Sequence, residues 1–158
     1  MRKKIILGLL ALTTQAIFAQ KMTSHKKAII ASVEKHEQAL IAVSDSIWAL
    51  AETAFQEDQS AEILASYAEK NGFNVTRGVA GIPTAFTATY GSGSPVISVL
   101  GEFDALPGIS QKAQPEKEAL NQGAAGHGCG HNLFGAGSLG AAIAVKELIE
   151  AGKIKLIK

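Results

Sequence analysis

Apolar side chains recur every three or four residues over a long stretch near the start of the chain. From residue 26 to about 55 they form one stripe, and charged residues fill much of the opposite face. This pattern predicts an amphipathic helix with Trp48 in the core. A second helix is predicted to begin near Ser60, a good N-cap residue, and to stop at Asn71–Gly72. The pattern returns from about 133 to 150, in a third helix rich in alanine and glycine.

The stretch between the second and third predicted helices is typical of strands. Residues 73–76 and 84–90 are rich in β-branched and aromatic side chains. Residues 95–101 are nearly all apolar, which predicts a strand covered on both faces. A polar loop follows over 105–126, and 154–157 resembles the start of another strand. Helices that alternate with buried strands indicate an α/β layered fold, and a final strand with no closing element suggests a fragment.

Residues 1–19 have the order of a secretory signal peptide. Three basic residues precede an apolar run over 5–12, and small residues then lead to Ala19, where cleavage is predicted. The run is short for a bilayer span, so an uncleaved anchor is the weaker alternative. We therefore expect an exported protein in a periplasmic or extracellular location. The net charge of only +1 argues against nucleic acid binding, and we expect no membrane association of the mature protein.

The most informative run is GHGCGHN, at Gly126–Asn132, which contains two histidines and the only cysteine of the chain. Residues i and i+2 of an extended backbone point to the same side, so Cys129 and His131 can converge on one cation. A thiolate and an imidazole favour zinc or a similar transition metal. Two alternatives stay open, namely a buried free thiol beside two loop histidines and a cysteine nucleophile.

Two acidic residues, Glu102 and Asp104, follow the predicted buried strand. Open α/β sheets bind ligands at the carboxyl ends of their strands. An acid at this position could ligate a metal or orient a histidine ligand, and the alternative is the solvated start of a loop.

The run 135–140 spells GxGxxG, but it follows no strand and no acid lies about 20 residues further on. Nucleotide binding is therefore not expected.

Three segments of the sequence, taken together, resemble the metal-dependent amidohydrolases of the aminoacylase and carboxypeptidase peptidase family. The matching segments are, in order, SIWALAETAFQEDQSAEILASYAEKNGF, GIPTAFTATYGSGSPVISVLGEFDALPG and GHGCGHNLFGAGSLGAAIAVKE. The likeness runs from about Asp45 to Lys158. It implies that residues 20–158 are the N-terminal part of a three-layer α/β/α metallopeptidase-like catalytic domain. That domain would be incomplete, with the family's lid and dimerisation domain absent.

The resemblance also implies roles for individual residues. Cys129 and His131 fall on the family's metal ligands, and Asp104 falls on the aspartate that orients the metal site from behind. Glu102 stands where many relatives carry a histidine, so no ligand role is assigned to it. Three residues are candidates for contacts with the substrate or with the metal ligands: Glu102, His127 and Asn132.

The implied reaction is hydrolysis of an amide bond by water activated between two divalent metal ions, zinc or manganese. The implied substrates are acyl-amino acids, dipeptides or aminobenzoyl-glutamate-like compounds. The family's general-base glutamate and later histidine ligands would lie beyond Lys158, so we expect this chain alone to be inactive. The implied assembly is a homodimer or a hetero-oligomer of two kinds of subunit. Two other functions stay open: a non-catalytic relative that binds metal or substrate, and a thiol hydrolase that uses Cys129.

Overall fold

The computed structural model describes residues 22–154, so the predicted signal peptide and most of the last predicted strand lie outside the described residues. Within this range the chain contains three α-helices, two short strands and one turn of 3₁₀ helix. In chain order these are α1 (Ser24–Leu50), α2 (Asp58–Lys70), β1 (Asn74–Arg77), the 3₁₀ turn (Val79–Gly81), β2 (Phe86–Thr89) and α3 (His131–Glu150). The fold is mixed α/β, as the sequence predicts.

Helix α1 is the long amphipathic helix of the sequence, although it ends earlier than predicted. It begins after Thr23, whose side chain accepts a hydrogen bond from the Lys26 amide. It ends at Leu50 because Ala51 takes a left-handed conformation with φ of 47°. Trp48 is only partly buried, whereas Ile47 is fully enclosed in the core.

Helix α2 begins at Asp58, two residues before the predicted N-cap. Ser60 lies inside the first turn, where it is fully buried. The group that satisfies this end of the helix is the carboxylate of Glu52, which accepts hydrogen bonds from the amides of Gln59 and Ser60 and from the Ser60 hydroxyl. A carboxylate is well placed there because free amides and the positive end of the helix dipole meet at a helix N-terminus.

Strands β1 and β2 form an antiparallel hairpin, which agrees with two of the predicted strands. The register pairs Asn74 with Thr89 and Arg77 with Phe86. Phe73, immediately before β1, is buried in a cluster with residues of α2 and α3. The hairpin therefore lies against the helices and forms a small two-stranded sheet.

The prediction of a strand at residues 95–101 that is covered on both faces is wrong for this structure. The segment has no strand pairing in the part of the chain that the structure describes. Val96 and Ile97 are each 83% exposed. A strand buried on both faces requires neighbouring strands and helices to cover it, and the hairpin pairs only with itself. The segment is nevertheless attached to α3 at its end, where the Ser138 hydroxyl donates a 2.6 Å hydrogen bond to the Leu100 carbonyl.

The main core lies between α1 and α3, with α2 packed against it. Its fully buried side chains include Ile47, Leu64 and Ile143. The helices α1 and α3 approach closely at Gly140, where a Cβ atom would lie 2.8 Å from Leu40 Cδ1. Helix α3 is long and apolar enough to cross a membrane by length and composition alone, but part of its surface is buried in this core. We therefore interpret α3 as a core helix.

A charged group also connects α1 to α3. The Glu147 carboxylate accepts hydrogen bonds of 2.7 Å from both Ser32 and Lys35, and it lies 2.9 Å from His36 Nε2. These contacts with His36, Lys35 and Ser32 lower the pKa of Glu147 to about 2. His36 is thus partly buried against α3.

Candidate functional site

The predicted site residues lie on two loops that pair with each other and on the first turn of α3, which follows the second loop. Leu106 and Gly126 exchange two backbone hydrogen bonds, of 3.0 and 3.1 Å, and so form an isolated antiparallel bridge. The Ala105 amide donates a 2.7 Å hydrogen bond to the Glu52 carbonyl, which connects the same loop to the segment between α1 and α2. A Cβ atom on Gly126 would lie 2.6 Å from Ser110 Cα, so this pairing requires glycine.

The pairing brings Asp104 and Glu102 to the same imidazole ring. His131 Nδ1 lies 2.8 Å from Asp104 Oδ1, and His131 Nε2 lies 3.3 Å from Glu102 Oε2. Because an ionised carboxylate can only accept, Nδ1 carries the proton of this hydrogen bond, and in the neutral ring Nε2 presents its lone pair. A histidine whose other nitrogen is held by a carboxylate is the usual arrangement of a metal-ligating histidine.

Helix α3 supplies His131 from its first residue, two positions earlier than the sequence predicts. The residue before it, Gly130, has a left-handed φ of 88°. Its carbonyl accepts hydrogen bonds from the Leu133 and Phe134 amides. The turn from loop to helix therefore occurs at a glycine, and it places His131 at the positive end of the helix dipole.

Cys129 is a free and exposed thiol. Its exposure excludes the alternative of a buried structural thiol. The structure does not assemble a complete ligand set around it: within residues 22–154, no three His, Cys, Asp or Glu side chains are arranged to hold a metal ion. The donor types fit a transition metal, but the described residues provide only part of a coordination sphere.

His127 is buried and faces away from solvent, unlike Cys129. Its Nε2 donates a 3.1 Å hydrogen bond to the Ile47 carbonyl, and its Nδ1 has no partner. Burial lowers the pKa of His127, which favours the neutral ring. The residue lines a cavity of about 60 Å³ together with Trp48 and Asn121. His127 therefore anchors the loop to α1 and leaves one buried acceptor unpaired.

Asn132 is also buried and supports the site from behind. Its side-chain amide donates to the Ser44 hydroxyl at 3.0 Å, across 88 residues of sequence. This contact connects the first turn of α3 to α1.

Two residues that support the site, Ser44 and Glu52, were not predicted from the sequence. No local sequence signal identifies Ser44 or Glu52, because each meets its partner only in the folded chain.

Comparisons with known proteins agree with the motifs of the site. No protein-family model matches the chain. A curated protein matches closely enough to show that the chain is related to a hydrolase. That relative is a subunit of the p-aminobenzoyl-glutamate hydrolase of Escherichia coli (strain K12), and it is 49% identical over 120 residues. The match includes 75% of this chain and 25% of the relative, so the chain spans about a quarter of the relative's length. Within the family that the motifs resemble, the motifs are most similar to this hydrolase subunit, and the match confirms that prediction.

Proposed function

We propose that this chain forms part of the metal centre of an amide-bond hydrolase. The observation that carries the proposal is the imidazole of His131, whose Nδ1 lies 2.8 Å from the carboxylate of Asp104. A carboxylate behind a histidine fixes the tautomer and raises the basicity of the ligating nitrogen. The name of the relative supports hydrolysis as the reaction and aminobenzoyl-glutamate as the type of substrate.

In this proposal Cys129 and His131 are metal ligands and Asp104 is a positioning residue. Two divalent ions, zinc or manganese, would polarise the amide carbonyl and lower the pKa of a bound water. Residues of the chain perform the remaining tasks. Asp104 holds the proton on Nδ1, Asn132 fixes the start of α3, and His127 anchors the loop that carries the thiol.

The substrate class includes acyl-amino acids and dipeptides as well as aminobenzoyl-glutamate. We propose that residues 20–158 belong to a three-layer α/β/α metallopeptidase-like domain and that the protein is exported to a periplasmic or extracellular location. The relative is named as one subunit of its hydrolase, which supports assembly with a second kind of subunit, with a homodimer as the other arrangement.

The exposure of Cys129 favours one competing function, a thiol hydrolase with Cys129 as nucleophile. The two functions respond differently to reagents. Metal-dependent amide hydrolysis is abolished by chelators and restored by zinc or manganese. Amide hydrolysis by a cysteine nucleophile is insensitive to chelators and is abolished by alkylation of the thiol.

The experiment has a binding part and a kinetic part. Zinc binding to the metal-free 158-residue chain is measured by calorimetry for the wild type, Cys129→Ser and His131→Asn. The control is His25→Asn, which changes an exposed histidine at the start of α1. We expect both site variants to bind zinc at least about tenfold more weakly and the control to bind like the wild type. Equal affinity in all four proteins would contradict the ligand assignment.

The kinetic part compares the chain with the full-length Escherichia coli relative on aminobenzoyl-glutamate. We expect turnover by the relative, loss of that turnover when its matching cysteine is replaced, and no turnover by the 158-residue chain. Comparable turnover by the chain would show that the described residues suffice for catalysis. Chelator-resistant turnover that alkylation abolishes would establish the thiol mechanism instead.

A further inference from the structure

Phe55 has a backbone conformation that is unfavourable for a bulky residue. It is the third residue of a four-residue turn, which the Gln56 amide closes with a 2.9 Å hydrogen bond to the Thr53 carbonyl. Its φ of 63° lies in the left-handed region, where this turn position normally holds glycine or asparagine. Any other side chain is strained there, because its Cβ atom approaches the following carbonyl oxygen. The turn therefore holds an aromatic residue where glycine would be more stable.

The hydrophobic core gains little from the ring of Phe55. The residue is 71% exposed, and it belongs to neither of the apolar clusters of the described core. Phe73, by contrast, is buried in a cluster with residues of α2 and α3. Packing therefore does not explain Phe55. A strained residue that packing does not require is a candidate for function, because such strain is concentrated at catalytic and ligand-binding sites.

The turn of Phe55 adjoins the loop of the proposed metal centre. Thr53 forms a parallel bridge with Ala105, the residue that follows Asp104. The Ala105 amide also donates its 2.7 Å hydrogen bond to the Glu52 carbonyl, and the Glu52 carboxylate binds the first turn of α2. The segment that enters the turn is thus held through both its backbone and a side chain. An exposed aromatic ring is fixed beside the loop that carries the site carboxylates.

We propose that Phe55 is a substrate-contact residue whose ring binds the aromatic acyl group of an N-acyl-glutamate substrate. The inference rests on the proposed function and deepens it, because it assigns a residue to the acyl side of the amide bond. The aminobenzoyl group in the name of the relative's substrate is a flat aromatic ring. Aromatic rings attract each other in offset or edge-to-face pairs, and the exposed phenyl ring of Phe55 offers a surface for such a pair.

The test uses saturation-transfer NMR on the 158-residue chain with zinc and aminobenzoyl-glutamate. Saturation passes from the protein to the ligand protons that lie against it. With the wild type, we expect the aminobenzoyl ring protons to be saturated more strongly than the glutamate protons. In Phe55→Gly the saturation of the ring protons should fall at least about threefold. Acetyl-glutamate, which has the same glutamate and no ring, should give the same signal with both proteins.

Two further variants are matched controls for the loss of the ring. Phe55→Tyr keeps an aromatic ring at the turn and should retain the saturation of the wild type. Tyr90→Leu removes an exposed aromatic ring at the other end of α3, where the Tyr90 hydroxyl lies 3.3 Å from the Glu150 carboxylate. It should leave the saturation unchanged. An equal loss in Tyr90→Leu and Phe55→Gly would contradict a specific contact at Phe55.

Urea unfolding followed by circular dichroism separates a role in binding from a role in folding. Glycine suits a φ of 63°, so Phe55→Gly should unfold at the same urea concentration as the wild type or at a higher one. Phe73→Ala, which removes a buried ring, should unfold at a clearly lower concentration. If Phe55→Gly lost as much stability as Phe73→Ala, the ring would serve the fold and the inference would be wrong.

The outcomes also separate this inference from the proposed function. If the wild type binds zinc but saturates the ligand ring no more than Phe55→Gly does, the inference is wrong and the metal centre stands. If the wild type binds no zinc but its ring saturation still depends on Phe55, the proposed metal centre is wrong and the aromatic contact stands. If the wild type neither binds zinc nor saturates the ring, both are wrong.

Discussion

At the scale of single residues, two carboxylates fix local structure by accepting hydrogen bonds. Asp104 orients His131, and Glu52 satisfies the N-terminus of α2 through Ser60 and Gln59. Burial alone would raise the pKa of Glu52, but the hydrogen bonds from Ser60 and Gln59 outweigh it and lower the pKa. The ionised form of Glu52 is therefore the one that the fold requires.

Replacing Glu52 tests this role directly. We expect Glu52→Gln to lower the free energy of unfolding by about 1–3 kcal/mol, because hydrogen bonds to a charged group are lost and the helix end loses its negative partner. Urea unfolding followed by circular dichroism near neutral pH measures the change. Glu116→Gln, at an exposed loop position, is the control and should change stability little. A similar small change in both variants would show that Glu52 does not cap the helix.

At the scale of elements, the sequence predicts that α3 exists but not where it begins. The sequence predicts a helix rich in alanine and glycine, and the structure has one that begins two residues earlier. Its close neighbours are the Glu102–Phe103 segment at Gly135 and the side chain of Leu40 at Gly140. Gly137, on the same helix, faces open space, because a Cβ atom added there would meet no atom within 4 Å.

These two kinds of glycine give a matched pair of variants. Gly135→Ala should destabilise the protein by about 1–2 kcal/mol, because the new methyl group meets backbone and a core leucine and the overpacking exceeds the gain in helix propensity. Gly137→Ala should stabilise it by about 0.5–1 kcal/mol, since only the propensity gain applies. Thermal and urea unfolding compare the two. A stabilised Gly135→Ala variant would contradict the close approach of α3 to the site segment.

At the scale of the whole molecule, the contact of α1 with α3 determines where the site lies. Apolar packing at Gly140 and the charged group around Glu147 hold the two helices together. Ser44 and Ile47 of α1 then bind Asn132 and His127, on either side of the predicted ligands. Residues 80 or more positions apart thus support one loop.

The Glu147 group makes stability depend on pH in a defined direction. The folded pKa of about 2 lies below the ordinary value of 4.5, so the folded state binds fewer protons than the unfolded state. The stabilisation is complete above the ordinary value and is lost as the pH falls through the folded value.

We therefore expect Glu147→Gln to be less stable than the wild type by about 1–2 kcal/mol near neutral pH, with the difference shrinking as the pH falls from about 4.5 towards 2. Urea unfolding of both proteins at several pH values measures it. A difference that stays constant over this range would show that ionisation of Glu147 is not involved.

The three helices and the two short strands were predictable from the sequence alone, and the structure confirms them. Those features depend on local periodicity, turn residues and side-chain chemistry, which are written in neighbouring positions. Three features follow from long-range packing: the apolar side chains of residues 96–100 are exposed, Glu52 caps α2, and Asp104 and Glu102 meet His131. These outcomes depend on which distant segments pack together, because burial and hydrogen-bond partners are supplied by neighbours in space and not by neighbours in sequence.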